Sequence, residues 1–298
     1  MSQNCTLRGV GPGKGLSTGT NMVAPPSDFD CTFVPDPTAT QLIKADHSTN
    51  PSFAILYIGY DPTKFSTSIN FASDAAQGAN TVTLQSNPGL QVGEIVPIDE
   101  VTNNDPDVTW GPSFGPPGDG SRRWFVRQDR SLNQMMEITA INGDTITFAT
   151  PFHHSFKASQ QAQLSRYASP VVHGIGIEDI FFFGGMGGDW HSNVSMNLCA
   201  YCWIKHIEAF WSVGTSVGLY GTYRSELRDL YIHETSDQNP GRAGYMIGFN
   251  YGASDNLVEN NISWYGNKEI VMRGTGGGNV IAYNYIDDSF GSTYPSSP

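Results

Sequence analysis

The stretch Val258-Glu-Asn-Asn-Ile-Ser-Trp264 decides the fold, because four other segments can be aligned beneath it. They are Ile177–Phe183, Ile204–Phe210, Leu227–His233 and Ile281–Asp287, and the starts of the five segments lie 27, 23, 31 and 23 residues apart. Repeats of about 20 to 50 residues are typical of solenoids. Each segment is short and rich in Ile, Val, Phe and Tyr, which predicts strands. We therefore predict an all-β chain that forms a parallel β-helix, with one coil per repeat.

The composition supports this prediction and limits the ligands. The 298 residues include 33 Gly and 18 Pro but only 15% charged residues, as expected for an all-β protein with many turns. The formal net charge is −12, whereas nucleic-acid binding needs clustered Lys and Arg. We expect no nucleic-acid partner, and the charge disfavours a bare polyanion more than a neutral glycan.

We expect neither a membrane span nor a signal peptide within this sequence. No run of 18 apolar residues occurs, and Met1-Ser-Gln-Asn4 lacks the basic and apolar regions of a signal peptide. The chain stops at Ser297-Pro298 without an obvious cap, although exposed solenoid ends need capping. We therefore expect no membrane partner and a chain that is truncated at its C-terminus.

The sequence divides into three regions. We predict the first coils in residues 1–76 and further coils in residues 157–298. Residues 77–156 predict an antiparallel β insertion, because Met136–Phe148 reads as a hairpin with Asn142-Gly143 as its turn.

A long loop rich in Asp, Pro and Gly is predicted inside the insertion, at Thr102–Arg123. Long loops are often functional, so Trp110, Trp124 and Arg127 are candidates for the border of a site. A merely decorative loop is the alternative.

Four cysteines occur, Cys5, Cys31, Cys199 and Cys202. Cys199 and Cys202 have the spacing C-x-x-C, but no second pair supports a zinc site. Cys5 and Cys31 lie about one coil apart. Structural disulfides or buried thiols, inert packing and a metal site all stay open.

Alternate residues of a strand face opposite sides, so the aligned repeats predict an inner and an outer face. The sixth residue of each segment is mostly apolar and is predicted to face inward: Phe182, Ala209, Ile232, Ser263 and Ile286. The fourth residue is apolar in the first three segments and Asn261 and Asn284 in the last two. We predict that these two side chains stack at a bend and bond from coil to coil.

The outer face combines aromatic rings with carboxylates. The fifth and seventh residues of the segments are predicted to face outward: Phe181, Phe183, Glu208, Phe210, Tyr231, His233, Ile262, Trp264, Tyr285 and Asp287. Rings can stack on the C–H faces of sugars, and carboxylates can bind their hydroxyls, so this face predicts a polysaccharide groove. Two alternatives stay open: other parts of the protein could cover the face, or a register error of one residue could invert it.

Three motifs resemble those of right-handed parallel β-helix proteins of the pectate-lyase-like superfamily, and particularly uncharacterised bacterial secreted β-helix proteins. They are Leu7–Pro12, Asn256–Ile262 and Gly278–Tyr285. The resemblance covers about two-thirds of the chain. It implies a right-handed β-helix, secretion and work on extracellular carbohydrate.

The catalytic motifs of this superfamily are mostly missing. Among polygalacturonase-like motifs only Asp287-Asp288 has a match, and His173-Gly174 lies on the wrong side of it. The Arg-x-x-Pro-x-x-Arg motif of pectate lyases is absent. These departures and the negative charge favour a hydrolase over a lyase.

Glycoside hydrolysis needs two carboxyl groups that flank the scissile bond. Glu208 and Glu234 lie on successive predicted coils and are our candidates for the acid and base, with His233 between them to adjust their pKa values. The predicted substrate-binding residues are Trp211, Tyr231, Trp264, Tyr285, Asp287 and Asp288.

Other functions remain compatible with the sequence. They are a non-catalytic carbohydrate-binding module, a structural or adhesive β-helix, and a polysaccharide lyase. We expect no cofactor and no resident metal, although the lyase alternative would use Ca²⁺. The expected partner is a neutral plant or microbial polysaccharide.

Overall fold

The computed structural model describes residues 4–12, 38–43, 54–102, 125–184, 192–212, 214–235, 244–287 and 289. Their regular structure is almost entirely β, with one short 3₁₀ helix at Ala158–Gln160. No helix in these ranges is long and apolar enough to cross a bilayer. The predicted all-β parallel β-helix with an antiparallel insertion is confirmed.

Three parallel sheets form the solenoid, each with six strands in the described ranges. Sheet A contains β1 (Cys5–Arg8), β11 (Ile175–Glu178), β14 (Trp203–Lys205), β17 (Glu226–Arg228), β20 (Leu257–Glu259) and β23 (Val280–Ala282). Sheet B contains β2 (Gln41–Ile43), β12 (Phe181–Phe183), β15 (Glu208–Ser212), β18 (Tyr231–Thr235), β21 (Ile262–Trp264) and β24 (Tyr285–Asp287). Sheet C contains β3 (Ala54–Gly59), β10 (Val172–His173), β13 (Ser192–Ala200), β16 (Thr215–Tyr223), β19 (Tyr245–Asn250) and β22 (Lys268–Met272).

The five aligned segments stack in the predicted register. Ile177 pairs with Ile204, Ile204 with Leu227, and Leu227 with Val258, which pairs with Ile281. The sixth residues pair in the same way in sheet B, and Phe182, Ala209 and Ile232 belong to the apolar core of the solenoid. Burial of these aliphatic and aromatic side chains stabilises the stack of coils.

Two asparagine ladders bond neighbouring coils at their corners. Asn284 Oδ1 accepts hydrogen bonds from the backbone N–H and the side-chain amide of Asn261, at 3.0 and 2.8 Å. Asn261 Oδ1 accepts the N–H of Leu230 at 3.0 Å, which confirms the predicted stack. Asn279 Oδ1 accepts the same two bonds from Asn256. Polar side chains are tolerated inside the corner because they satisfy backbone groups there.

Cys199 and Cys202 form a disulfide inside the solenoid core. Of the three alternatives from the sequence, the structural one therefore holds for this pair. Cys5 is exposed and forms no disulfide with another described residue, and Cys31 lies outside the described residues.

The chain turns from sheet A to sheet B at one left-handed residue per coil. Asp179, His206, Asp229, Asn260 and Tyr283 occupy this corner, with φ between 50° and 60°. Asp and Asn tolerate this conformation better than most residues, because their short side chains hydrogen-bond locally. The Asn260 amide also donates to the Asp229 carboxylate of the preceding coil at 2.5 Å.

The insertion forms a six-stranded antiparallel sheet with its own core. Its strands, in spatial order, are β4 (Phe65–Asn70), β9 (Gln163–Tyr167), β6 (Ile95–Glu100), β7 (Leu132–Asn142), β8 (Thr145–Phe148) and β5 (Thr81–Thr83). The sheet runs from Phe65 to Tyr167, so β4 and β9 lie outside the interval 77–156 given above. The hairpin turn is Gly143-Asp144 rather than Asn142-Gly143, because Asn142 pairs with Thr145.

The strands that precede and follow the insertion, β3 and β10, both pair with β13 of sheet C. Gly59 at the end of β3 pairs with Asn197, and Val172 at the start of β10 pairs with Cys199. The chain therefore leaves and re-enters the solenoid beside the same strand. Gly59 permits the exit because its φ is 88° and a Cβ there would lie 1.7 Å from the Asn197 carbonyl oxygen. No other residue fits such a position without strain.

The insertion packs on the corner between sheets C and A. Ile95 and Met135 of the insertion share an apolar cluster with Ala200 and Tyr223 of the solenoid. The Met135 N–H donates to Ser254 Oγ at 2.9 Å. The insertion and the solenoid therefore share buried contacts at this corner.

Candidate functional site

The outer face of sheet B holds most of the predicted site residues. Its outward rows follow the predicted register, since Glu208 pairs with Tyr231 and Phe210 with His233, which pairs with Trp264. The first coils of this face are covered. Phe181, Phe183, Phe210 and Trp211 are all at least 96% buried.

The prediction of an open groove along all five coils is therefore wrong for the first two coils. There the alternative that other parts of the protein cover this face holds. Exposure increases along the later coils, from half-buried Tyr231 to Ile262, which is 47% exposed, and Tyr285, which is 60% exposed. Tyr285 donates its hydroxyl to Asp287 at 2.9 Å. Asp288 lies outside the described residues, as do Trp110 and Trp124.

The three predicted catalytic side chains do meet. His233 Nε2 lies 3.1 Å from Glu208 Oε1, and His233 Nδ1 lies 3.7 Å from Glu234 Oε1. The first contact is a hydrogen bond and the second an ion pair, because 3.7 Å is too long for a hydrogen bond. His233 is 1% exposed, Glu208 5% and Glu234 6%. The group is thus a buried imidazole between two buried carboxylates.

This environment raises the pKa of His233. Burial alone would lower the pKa, but the contacts with Glu208 and Glu234 outweigh it, so the pKa of His233 is raised above 6.5. The protonated ring donates to Glu208 and compensates part of both carboxylate charges. Such an arrangement can hold a proton, and a solvent-borne sugar cannot contact it in this conformation.

Aromatic rings surround the imidazole. His233 stacks on Tyr231, Phe210 and Trp264 with ring centroids 4.3, 4.9 and 5.8 Å away. Trp264 Nε1 donates to the Tyr231 hydroxyl at 2.7 Å. Tyr231 and Trp264, predicted as sugar platforms, are half-buried and use part of their surface for packing on each other and on His233.

Arg127, a candidate border residue from the sequence, serves the insertion instead. Its guanidinium contacts the carboxylate of buried Asp99, and its Nη1 donates to Gln163 Oε1 at 2.9 Å. It thereby connects β6 with β9.

A groove that the sequence analysis missed lies on the outer face of sheet C. Its volume is about 760 Å³, within the range of ligand sites. Four neighbouring strands, β3, β13, β16 and β19, and the segment that begins the insertion contribute to it. The lining residues are Tyr57, Asp61, Pro62, Thr63, Ser192, Ser195, Asn197, Thr215, Tyr220, Asn250 and Tyr251.

Tyrosines and amides alternate across this groove. Tyr220 on β16 lies between Asn197 on β13 and Asn250 on β19, to which it is paired in register. The Tyr251 ring meets the Tyr220 ring edge-on at 6.0 Å. Neighbouring strands are about 4.8 Å apart, so the four strands give a groove roughly 14 Å long.

Tyr57 stands at one side of the groove and is 46% exposed. Burial, and then the charge of Asp61, raise the pKa of Tyr57, so its phenol stays neutral and can donate a hydrogen bond. Asp61 accepts hydrogen bonds from the N–H and hydroxyl of Thr63 at 2.9 and 2.7 Å.

One sequence signal could have revealed the groove. Ser195-x-Asn197, Gly218-x-Tyr220 and Gly248-x-Asn250 repeat a small residue followed two positions later by a polar one, in the second strand of successive coils. Alternation of this kind marks one face of a strand. Tyr57 and Asp61 lack such a signal, because the whole insertion separates them from these strands.

Within the described ranges, no group of three or more His, Cys, Asp or Glu side chains is arranged to hold a metal ion. His153 contacts the Asp255 carboxylate at 2.7 Å, and His206 contacts the Asp179 carboxylate. His233 contacts both Glu208 and Glu234, but these three side chains are not arranged as a metal site. The groove offers hydroxyl, amide and phenol groups and the single carboxylate of Asp61.

No family model and no curated protein matches the chain. Solved structures similar to parts of it include three phage tailspikes. The tailspike gp61 of Pseudomonas phage phi297 is 13% identical, with a TM-score of 0.43 over 78% of this chain and 37% of its own. The tailspike gp49 of Pseudomonas phage LKA1 is 15% identical, with a TM-score of 0.42 over 70% of this chain and 32% of its own.

The third is the Gp54 tailspike of Acinetobacter baumannii bacteriophage AP22, solved in complex with A. baumannii capsular saccharide. It is 8% identical, with a TM-score of 0.25 over 74% of this chain and 59% of its own. The chain thus spans between 32% and 59% of the length of these three proteins.

Proposed function

We propose that this chain is a polysaccharide-binding parallel β-helix and that the glycan lies in the groove on the outer face of sheet C. The observation that carries the proposal is the lining of that groove. Three tyrosine rings alternate there with the amides of Asn197 and Asn250 and with short hydroxyl side chains. A sugar presents C–H faces to rings and hydroxyls to amides, so this lining suits a sugar chain.

The length of the groove favours a polymer over a single sugar, and the net charge of the chain favours a neutral glycan. A groove roughly 14 Å long holds several sugar units in a row. The net charge of −12 favours a neutral glycan. A polysaccharide ligand is met outside the cell, so we include secretion in the proposal.

The test compares two tyrosines of equal exposure. Tyr57 lines the groove and is 46% exposed, while Tyr60 is 47% exposed and does not line it. We expect Tyr57→Ala to weaken binding about tenfold, through the loss of one aromatic contact with the glycan, and Tyr60→Ala to leave it unchanged. Affinity electrophoresis in gels cast with galactomannan, xylan, β-glucan or dextran gives the measurement. Binding to none of a wide glycan panel, or equal losses in both variants, would overturn the proposal.

Hydrolysis at Glu208 and Glu234 is a second candidate function, favoured by the contact of both carboxylates with one imidazole. Hydrolysis needs carboxyls about 5 to 9.5 Å apart with the glycosidic bond between them. His233 occupies that space, and all three side chains are buried. Binding without cleavage therefore fits the geometry better.

Product release distinguishes the two functions. If the carboxylates are catalytic, the protein releases reducing ends from the glycan it binds, and Glu208→Gln abolishes release while binding persists. If the chain only binds, no reducing ends appear with either protein. Unsaturated products that absorb in the ultraviolet and vanish with a chelator would instead identify a Ca²⁺-dependent lyase.

A further inference from the structure

The floor of the groove has a position without a side chain beneath the Tyr220 ring. Gly218 lies between Ser195 and Gly248 in neighbouring strands of sheet C. A Cβ on Gly218 would lie 2.6 Å from Cε2 and Cζ of Tyr220 and 2.8 Å from its hydroxyl. The ring therefore runs back along its own strand and rests on the backbone of Gly218.

The far end of the same ring lies against buried polar side chains. The Tyr220 hydroxyl is close to the side chains of Thr215 and Ser192, both of which are over 90% buried. The Tyr220 ring thus extends from its Cα on β16 to a hydroxyl end that faces these two residues. One face of the ring is against the sheet, and the ring is part of the groove lining.

We propose that Gly218 is a positioning residue for glycan binding, because it lets the Tyr220 ring lie flat as the platform for one pyranose unit. The proposal rests on the function proposed above and deepens it. It specifies a sugar unit that presents a face of C–H groups to the ring. The amides of Asn197 and Asn250, on either side, then face the hydroxyls at the rim of that sugar.

We expect substitution of Gly218 to displace the Tyr220 ring without disturbing strand β16. The atoms that an added Cβ would meet belong to the end of a side chain, and the φ of Gly218 is not in the left-handed region. Gly218→Ala is therefore compatible with the strand, while the Tyr220 ring must lift away from the backbone of Gly218 and from the side chains of Thr215 and Ser192.

Sheet A offers a matched control. Gly176 lies under the Trp203 ring, and a Cβ there would be 2.3 Å from Trp203 Cε2. Trp203 Nε1 donates to Glu178 at 2.6 Å, so this ring likewise has a polar contact at its far end. Neither residue lines the groove. Gly176→Ala repeats the same steric change on another face of the solenoid.

The experiment is a double-mutant cycle on the whole chain. The dissociation constant for the tightest binder among galactomannan, xylan, β-glucan and dextran is measured for wild type, Gly218→Ala, Tyr220→Ala, the double variant and Gly176→Ala. We expect Gly218→Ala to weaken binding about tenfold, Gly176→Ala to have no effect, and Gly218→Ala to add nothing in the Tyr220→Ala background. Circular dichroism confirms that each variant is folded.

The possible failures separate the two proposals. A wild type that binds no glycan overturns the proposed function and this inference together. Wild-type binding that Tyr220→Ala weakens but Gly218→Ala does not overturns the inference alone. The same holds if Gly218→Ala weakens binding equally in the Tyr220→Ala background, or if Gly176→Ala matches its effect, because the loss would then not act through the ring.

Discussion

The buried imidazole of His233 lies between the carboxylates of Glu208 and Glu234 on the outer face of sheet B. This placement makes the stability of the protein depend on pH. Burial of the ring opposes protonation, while Glu208 and Glu234 favour it more strongly. An isolated buried charge would be costly, but here the positive ring and the negative carboxylates compensate one another. The group therefore contributes most when His233 is protonated.

We predict that this contribution is lost at alkaline pH. In the unfolded chain His233 titrates near 6.5, and in the folded chain it titrates above that value. The stabilisation is fully present below pH 6.5 and disappears as the pH rises through the raised folded pKa. Denaturant unfolding at a series of pH values should show the stability advantage of wild type over His233→Gln shrinking above pH 6.5. An advantage that grows with pH would contradict the assignment.

At the scale of one element, the asparagine ladder determines how neighbouring coils meet. Asn261 accepts the Leu230 N–H in one coil and donates to Asn284 in the next. Each amide therefore satisfies backbone and side-chain groups of two coils that would otherwise be buried without partners.

We predict that Asn261→Ala destabilises the protein by about 1–3 kcal/mol, because it leaves the buried Leu230 N–H unsatisfied. The neighbour Asn260 is an exposed, left-handed corner residue whose amide donates to Asp229 at the surface. Asn260→Gly keeps the backbone conformation and removes only this exposed bond, so it should destabilise the protein less than Asn261→Ala does. Thermal unfolding of both variants measures the difference. Equal midpoints would show that the ladder contributes nothing.

The stacking of elements could be predicted from the sequence, and the covering of their faces could not. Apolar side chains recur at one spacing in every coil, and the buried core requires that spacing, so Ile177, Ile204 and Leu227 revealed their register directly. The burial of Glu208 and His233 depends on what packs over sheet B, which no local pattern encodes. Similarly, Tyr57 and Tyr220 both line the groove, although the whole insertion lies between them in the sequence. The spacing of the repeats does not predict that these two residues come together.

At the scale of the whole molecule, the insertion shares buried surface with the solenoid. Met135 is fully buried between the insertion sheet and the residues Ala200 and Tyr223. Its N–H also bonds Ser254 of the solenoid. The free energy of unfolding of a solenoid is approximately the sum of contributions from its coils and from the contacts between neighbouring coils. The contact at Met135 adds a contribution from the insertion.

We predict that Met135→Ala lowers the free energy of unfolding by about 2–5 kcal/mol, through lost apolar burial and the remaining cavity. Because the cavity lies at the junction, amide hydrogen exchange should accelerate both in β7 and in the solenoid corner around Tyr223. Faster exchange in the insertion alone would mean that the two parts are energetically independent.

The central claim is that the glycan lies on sheet C rather than on the outer face of sheet B. Its most direct test is the dissociation constant of one bound polysaccharide for wild type, Tyr220→Ala in the groove and Trp264→Ala on sheet B. We predict that Tyr220→Ala weakens binding about tenfold and that Trp264→Ala leaves it unchanged. A loss confined to Trp264→Ala would contradict the account and return the site to sheet B.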